Sequence, residues 1–274
     1  MRQEFINYLT SVRGYSINTV VAYDKDIKHF VRWMSSSNQA ARWSTITRQD
    51  IDQYMEYMTV AGLSPATINR RLASIATMYK YMKLQGYEVE NPCRWESRKK
   101  LAKRQPSTID EATIKQVVAS AEPSLSLAIR LIYTTGLRTS EVLNLKSWDV
   151  LKDESAIMVR NGKGMKDRKV FCDAETMARL QQHINGHRGI LFFWTPREFR
   201  YKVWEAFKPY TEVQELNPRA LRHTFATTMA KNGANATTIA SLMGHESIKT
   251  TQRYIDFAGT AVQEQYLKFK PTIS

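Results

Sequence analysis

The stretch from Asn91 to Thr108, NPCRWESRKKLAKRQPST, constrains the fold of this chain more than any other. Pro92 and Pro106 bracket it, and six basic residues (Arg94, Arg98, Lys99, Lys100, Lys103 and Arg104) stand against Glu96. Such a composition marks a connection between elements, not the interior of one. It divides the 274 residues into segments 1–90 and 108–274, with 91–107 as a basic linker. Each segment is long enough to fold around a core of its own. A basic linker can cross phosphates as two domains wrap a duplex; it can equally be a solvated tether.

Residues 1–90 read as helices almost throughout. Phe5, Leu9 and Val12 open an apolar stripe, and Ser16 and Asn18 are N-cap candidates. Val20, Val21, Ile27, Phe30, Val31 and Met34 then recur at helical spacing. After a polar connection at Ser36–Ser44, Thr47 heads a helix carrying Ile51, Tyr54, Met55 and Met58. Ser64-Pro65 opens a fourth, since proline suits a first helical turn, and it runs from Ile68 through Met82 to Gly86. Short loops between such helices predict a compact all-α domain. On the polar face of the fourth helix, Thr67, Asn69, Arg70, Arg71 and Ser74 combine short hydrogen-bonding groups with arginines. A helix lying against DNA has this look, and so does an ordinary solvated face.

The second segment mixes structure. Helices are expected at Ile109–Ala119, Ser124–Tyr133, Ser140–Leu145, Ala174–Ile184 and Pro196–Phe207. Between them the period shortens: Ala156–Val159 and Arg168–Phe171 read as strands of a small hairpin around the glycine-rich Asn161–Gly164. Ala234 to Tyr254 scans as a helix-turn-helix, with helices around Thr237–Met243 and from Ser247 and a turn at Gly244. The fold class is therefore mostly α with a small β-hairpin or sheet.

Forty Lys and Arg against 26 Asp and Glu give a formal charge of +14, which favours a polyanion, with nucleic acid ahead of membrane surface. No run of 18 apolar residues suggests a membrane span. MRQEFINYLT is mixed in charge, unlike a signal peptide. Cys93 and Cys172 lie far apart without a CxxC, which argues against a disulfide framework or a zinc site and for a reducing, cytoplasmic home.

Chemistry concentrates in Asn217–Tyr254. Arg219, Arg222 and His223 fall within one helical turn and can share a face toward one anion. Arginine forks suit a phosphate diester, and a tyrosine oxygen can hold a phosphate covalently. Arg138 in GLRTSEVLNL, with Glu141 one turn on to orient it, and Lys163 in VRNGKGMKDRKV extend the set from distant segments; Lys166 lies in the same turn as Lys163. Arg138, Lys163, Arg222, His245 and Tyr254 come without an acidic cluster for Mg²⁺, so no metal or other cofactor is expected. A helix-turn-helix that binds DNA as a regulator, without chemistry, uses the same 234–254 segment but has no need of Arg138, Lys163 and Tyr254.

The motifs GLRTSEVLNL, GKGMKDR, ALRHTFAT and LMGHESIKTTQRY, in this order, resemble those of the tyrosine recombinase (phage integrase) family. LTSVRGYSINTVVAYDKDIKHF and LSPATINRRLASIATMYKYMKLQG resemble its SAM-like core-binding domain, so the likeness covers nearly the whole chain and is nearest to Xer-type recombinases. The resemblance implies site-specific DNA recombination by two domains forming a C-shaped clamp on double-stranded DNA with inverted binding sites. It implies a tetramer on two sites, a Holliday junction, and in some cases a second recombinase or accessory protein. Tyr254 would attack the scissile phosphate and form a 3′-phosphotyrosine. Arg138 and Arg222 would clamp the non-bridging oxygens, Lys163 would protonate the leaving 5′-oxygen, and His245 would position the phosphate. Glu141 and His223 would brace these groups. Leu267 and Phe269 are expected to dock on a neighbouring protomer. A type IB topoisomerase-like enzyme shares this chemistry. One position departs from the pattern: Arg219 stands where the family usually has His, and arginine cannot act as a base. Help for Tyr254 must then come from water, from His223 or from a less base-dependent route.

Overall fold

The computed structural model describes residues 1–36, 42–93, 99, 107–160, 167–211, 216–245 and 247–258, the side chains of the last two excepted. Arg94, Arg98, Lys100, Lys103, Arg104, Lys163, Lys166, Leu267 and Phe269 lie outside the described residues. The chain divides into two compact units, Met1–Lys103 and Arg104–Ser274. Among the described residues no helix is long and apolar enough to cross a membrane.

Among its described residues the elements of the first unit are helical: α1 (Arg2–Asn7), which runs on into a π-helical turn at Tyr8–Val12, then α2 (Ile17–Ser36), α3 (Arg48–Val60) and α4 (Pro65–Leu84). Local chemistry sets the starts. Thr47 and Asp50 form a reciprocal capping box on α3, and the Ser64 hydroxyl caps α4 with Pro65 in its first turn. Phe5, Leu9, Ile27, Phe30, Ile51, Tyr54, Ile68, Ile75 and Tyr79 build the core. The Tyr79 hydroxyl finds the Trp43 carbonyl at 2.8 Å, so its buried oxygen is satisfied.

The second unit begins with α5 (Glu111–Ser120), α6 (Pro123–Thr135) and α7 (Thr139–Leu143). Leu125, Leu127, Ala128, Ile129, Leu131 and Ile132 are all buried on α6, a helix that is apolar almost all round and therefore central. A three-stranded antiparallel sheet follows: β1 (Val150–Leu151), β2 (Ala156–Val159) and β3 (Arg168–Phe171), in that order. The sequence predicts the β2–β3 hairpin alone. The two-residue β1 escapes notice because pairing Val150 with Ile157 and Leu151 with Ala156 needs no alternating run. Next come α8 (Ala174–Ile184), α9 (Pro196–Phe207), α10 (Pro218–Lys231), α11 (Ala236–Met243) and α12 (Ile248–Ala258). The last two reproduce the expected helix-turn-helix. Its second helix, however, faces inward: Thr251 and Tyr254, one turn apart on α12, are fully buried. Phe225, Ala226, Ala230, Ile239, Met243 and Tyr254 form a small core of their own between α10, α11 and α12.

Candidate active site

Three arginines from three distant segments converge on the C-terminus of α11. Arg168 Nε donates to the Leu242 carbonyl at 2.9 Å, Arg222 Nη2 to Met243 at 2.5 Å, and Arg138 Nη2 to Gly244 at 2.6 Å. The last carbonyls of a helix lack intrahelical partners and carry its negative dipole end, so cations gather there. Gly244 closes α11 in the left-handed region (φ +61°), and a Cβ on it would stand 2.9 Å from Arg168 Nη1. Both its backbone angle and the close guanidinium require glycine there.

Gly136 does the same at the other side. It ends α6 at φ +69° beneath the Phe225 ring, where a Cβ would come within 2.5 Å of a ring carbon. Its carbonyl accepts the other Arg222 contact, from Nη1. Two residues later Arg138 precedes α7 and is held by Glu141. The carboxylate accepts the Arg138 N–H (2.7 Å) and Nη1 (2.7 Å), and Arg168 through Nη1 (2.9 Å) and Nη2 (2.7 Å). Burial opposes ionisation of Glu141, but the Arg168 and Arg138 hydrogen bonds outweigh it and hold the carboxyl at about 2. Glu141 thus orients two guanidiniums, one more than the sequence suggests. Arg222 is nearly enclosed, and burial with the Arg138 charge lowers its pKa to about 9, so it stays cationic at neutral pH. Each guanidinium has five N–H donors. Arg138 and Arg222 each spend two on the protein partners named, which leaves donors for a phosphate.

The Tyr254 side chain is enclosed at 0% exposure. Its hydroxyl lies 2.6 Å from His223 Nδ1 and receives Arg253 Nη2 at 2.7 Å, and the Arg253 guanidinium sits 4.8 Å from the ring centroid. His245 lies nearly parallel to the Tyr254 ring and pairs through Nδ1 with the Thr251 hydroxyl at 2.8 Å, which leaves Nε2 for a ligand. Burial lowers both histidines to about 4. Arg253, Arg219 and Arg222 add to the effect at His223; Arg222, Arg138, Arg253 and His223 add to it at His245. Both are neutral at pH 7.

The fold therefore brings Arg138, Arg222, His223, His245 and Tyr254 together around the α11 terminus. Arg219, on the first turn of α10, is exposed, and among the described residues only its backbone N–H is tied, to the Asn217 side chain at 2.9 Å. Its charge still acts on His223. Lys163 lies outside the described residues. Sequence reasoning misses Arg168 and Arg253. For Arg168 a signal exists: it shares a strand face with the buried Val170, and an arginine on an inward face needs a buried anion.

On α4 of the first unit the structure corrects one expectation. Ser74 is fully buried and its hydroxyl donates to the Arg71 carbonyl at 2.8 Å, so it does not belong to an exposed polar face. Thr67 is tied to the Ser64 cap, Asn69 exchanges two hydrogen bonds with the Lys99 backbone (2.8 and 2.9 Å), and Arg70 and Arg71 both reach Asp26.

Residues 104–259 match the phage integrase family, and residues 3–86 match the phage integrase N-terminal SAM-like domain. The chain belongs to the phage integrase family. It is a tyrosine site-specific recombinase, an enzyme, and the reading as a DNA-binding regulator is not favoured. It is similar to tyrosine recombinase XerC of Lactobacillus delbrueckii subsp. bulgaricus, 28% identical across 99% of each chain. To tyrosine recombinase XerD of Listeria innocua it is 26% identical, across 98% of this chain and 97% of that one. It shares its fold with the XerH site-specific recombinase bound to palindromic difH substrate in a post-cleavage complex: TM-score 0.76, 17% identity, 98% of this chain and 84% of the other covered.

Proposed function

We propose that this recombinase cuts each DNA strand with Tyr254, leaving a 3′-phosphotyrosine and a free 5′-hydroxyl that later attacks the partner strand through a Holliday junction. The observation that carries the assignment is the convergence of Arg138 and Arg222 on the α11 terminus, one residue from His223 and its bond to Tyr254. A phosphate diester placed there meets two cations whose remaining N–H groups suit its non-bridging oxygens, where charge builds in the transition state. Lys163 donates the proton to the leaving 5′-oxygen, and His245 Nε2 holds the phosphate. Because Tyr254 is enclosed, α12 must open for its oxygen to meet the phosphorus in line. Lys99, Lys100, Lys103 and Arg104, with Thr67, Asn69, Arg70 and Arg71, contact the duplex backbone. The working assembly is a tetramer on two sites with inverted arms, in the cytoplasm, with Leu267 and Phe269 docked on a neighbour and a second recombinase or accessory protein admitted.

Covalent trapping tests this. A randomised library of nicked duplexes is incubated with the protein, denatured in SDS, and scored for protein–DNA adducts. An adduct lost in Tyr254→Phe and in Arg138→Ala is expected. Specific binding without an adduct in the native protein refutes the assignment.

A further inference from the structure

We propose that His223 is the general base that takes the phenolic proton of Tyr254, with Arg253 stabilising the phenolate that results. This inference rests on Tyr254 being the nucleophile.

Hydrogen-bond direction carries it. Arg253 can only donate, so at 2.7 Å the phenolic oxygen is its acceptor. Among the described residues, the proton of that oxygen then has His223 Nδ1, at 2.6 Å, as its acceptor. An imidazole accepting at Nδ1 carries its proton on Nε2 and is neutral, and the surroundings of His223 hold it neutral: burial first, then the charges of Arg253, Arg219 and Arg222. Among the described residues, the groups facing His223 are these three arginines, the Tyr254 hydroxyl and the His245 ring, and none of them is an acid. Arg219, on the same helix, cannot accept a proton at any working pH. The structure thus offers a second nitrogen one turn further along α10.

A base held at about 4 is weak for taking a phenolic proton, and the substrate corrects this. A scissile phosphate on Arg222, with a neighbouring phosphate on the exposed Arg219, offsets two of the three charges that depress His223. Its basicity therefore rises when DNA is in place. The step balances as follows. The Tyr254 O–H breaks and its proton moves to His223 Nδ1, giving an imidazolium. The phenolic oxygen then bonds to phosphorus as the 5′-oxygen leaves and takes a proton from Lys163. The imidazolium returns its proton to Tyr254 when the 5′-hydroxyl attacks in the reverse sense. Arg253 lies beside Tyr254 on α12 and travels with it, whereas His223 stays on α10.

The test is single-turnover cleavage of a trapped nicked duplex by His223→Gln, which keeps a hydrogen-bonding group of similar reach but cannot take up the proton. Cleavage is expected to fall by on the order of 10²-fold at neutral pH with DNA affinity unchanged. Replacing Tyr254 by a fluorinated tyrosine, a more acidic phenol, should restore most of the variant's rate and change the native rate little. The variant's rate should also climb with pH through the alkaline range where the native rate is flat. The acid limb does not discriminate, because His223 and His245 share it. Native or faster cleavage by His223→Gln overturns the proposal, the faster case making His223 a latch on Tyr254. A loss that neither fluorination nor alkaline pH relieves also overturns it, in favour of packing. Tyr254→Phe runs alongside: an adduct that persists there removes the nucleophile assignment itself, whereas one lost there but formed at the native rate in His223→Gln removes the base alone.

Discussion

Asp26 in the first unit and Glu141 in the second each sit between two arginines, Arg70 and Arg71 for the one, Arg138 and Arg168 for the other. Their ionisation moves in opposite directions. Burial raises the Asp26 pKa despite both arginines, whereas Glu141 falls to about 2. Proximity of charge does not separate them, but the hydrogen-bond count does. Glu141 accepts four N–H groups at 2.7–2.9 Å, and Arg168 also uses its Nε on Leu242. Arg71 Nε stays 3.7 Å from Asp26, and among the described residues Arg71 Nε and Nη1 are buried with no hydrogen-bond partner. An ion pair taken out of water is stabilising only when its lone pairs and protons are used. The Glu141 cluster is a finished frame that fixes Arg138. The Asp26 cluster is unfinished.

The largest effect that separates the two comes from Glu141→Gln. The side-chain amide turns an N–H toward arginine donors and leaves Arg168 buried without its counter-charge, a loss of about 3–5 kcal/mol. Arg138 loses its orientation, so cleavage should fall by at least about 10²-fold. Thermal unfolding and single-turnover cleavage measure both. A variant that melts and cuts like the native protein would mean Glu141 frames nothing.

Gly244→Ala strains the same frame from the opposite side. A left-handed non-glycine residue plus a Cβ against Arg168 should cost about 1–3 kcal/mol and shift Arg138 and Arg168 together. Unfolding midpoints with Gly244→Ala and Glu141→Gln alone and combined should be non-additive, as expected of one network. Additive losses would break the frame into independent contacts.

How much of this was legible beforehand follows the range of each interaction. α8 and α9 fall where the sequence predicts them because Asp173 and Thr195-Pro196 announce their starts locally. Arg138, Arg222, His245 and Tyr254 were legible as motif residues. Arg168 was not, because its meaning lies in a bond to Leu242, 74 positions on. Ser74 was misread for a related reason: from sequence a polar residue on α4 reads as exposed, but this one pairs with the Arg71 carbonyl inside the fold.

Acid should affect the two units in opposite directions. His223 and His245 titrate at about 4 in the fold against about 6.5 in the unfolded chain. The unfolded chain therefore takes up protons first, and stability falls as the pH drops through that window. The Glu141 contribution is complete above the unfolded value near 4.3 and is lost as the pH falls toward 2. Asp26 has the opposite sign: its raised pKa means that protonation favours the fold as the pH falls. Hydrogen exchange between neutral pH and pH 4 should show α10–α12 loosening while α2 and α4 hold. Equal loosening of both units would deny the contrast.

Asp26→Asn should have the smallest effect and the most informative one for binding. Asparagine keeps the shape of the site and removes a charge that burial already disfavours. The Arg70 side chain is 42% exposed, so water takes up much of what the carboxylate releases. The expected stability change is about 1 kcal/mol or less. Arg70, no longer engaged, can reach a phosphate, so binding to non-specific duplex should tighten. The slope of log affinity against log salt should steepen by about one. Binding isotherms over a salt series measure it. An unchanged slope with a stability loss as deep as that of Glu141→Gln would make the two clusters equivalent, and the first unit's arginines would then be structural cement and not part of the DNA-binding surface.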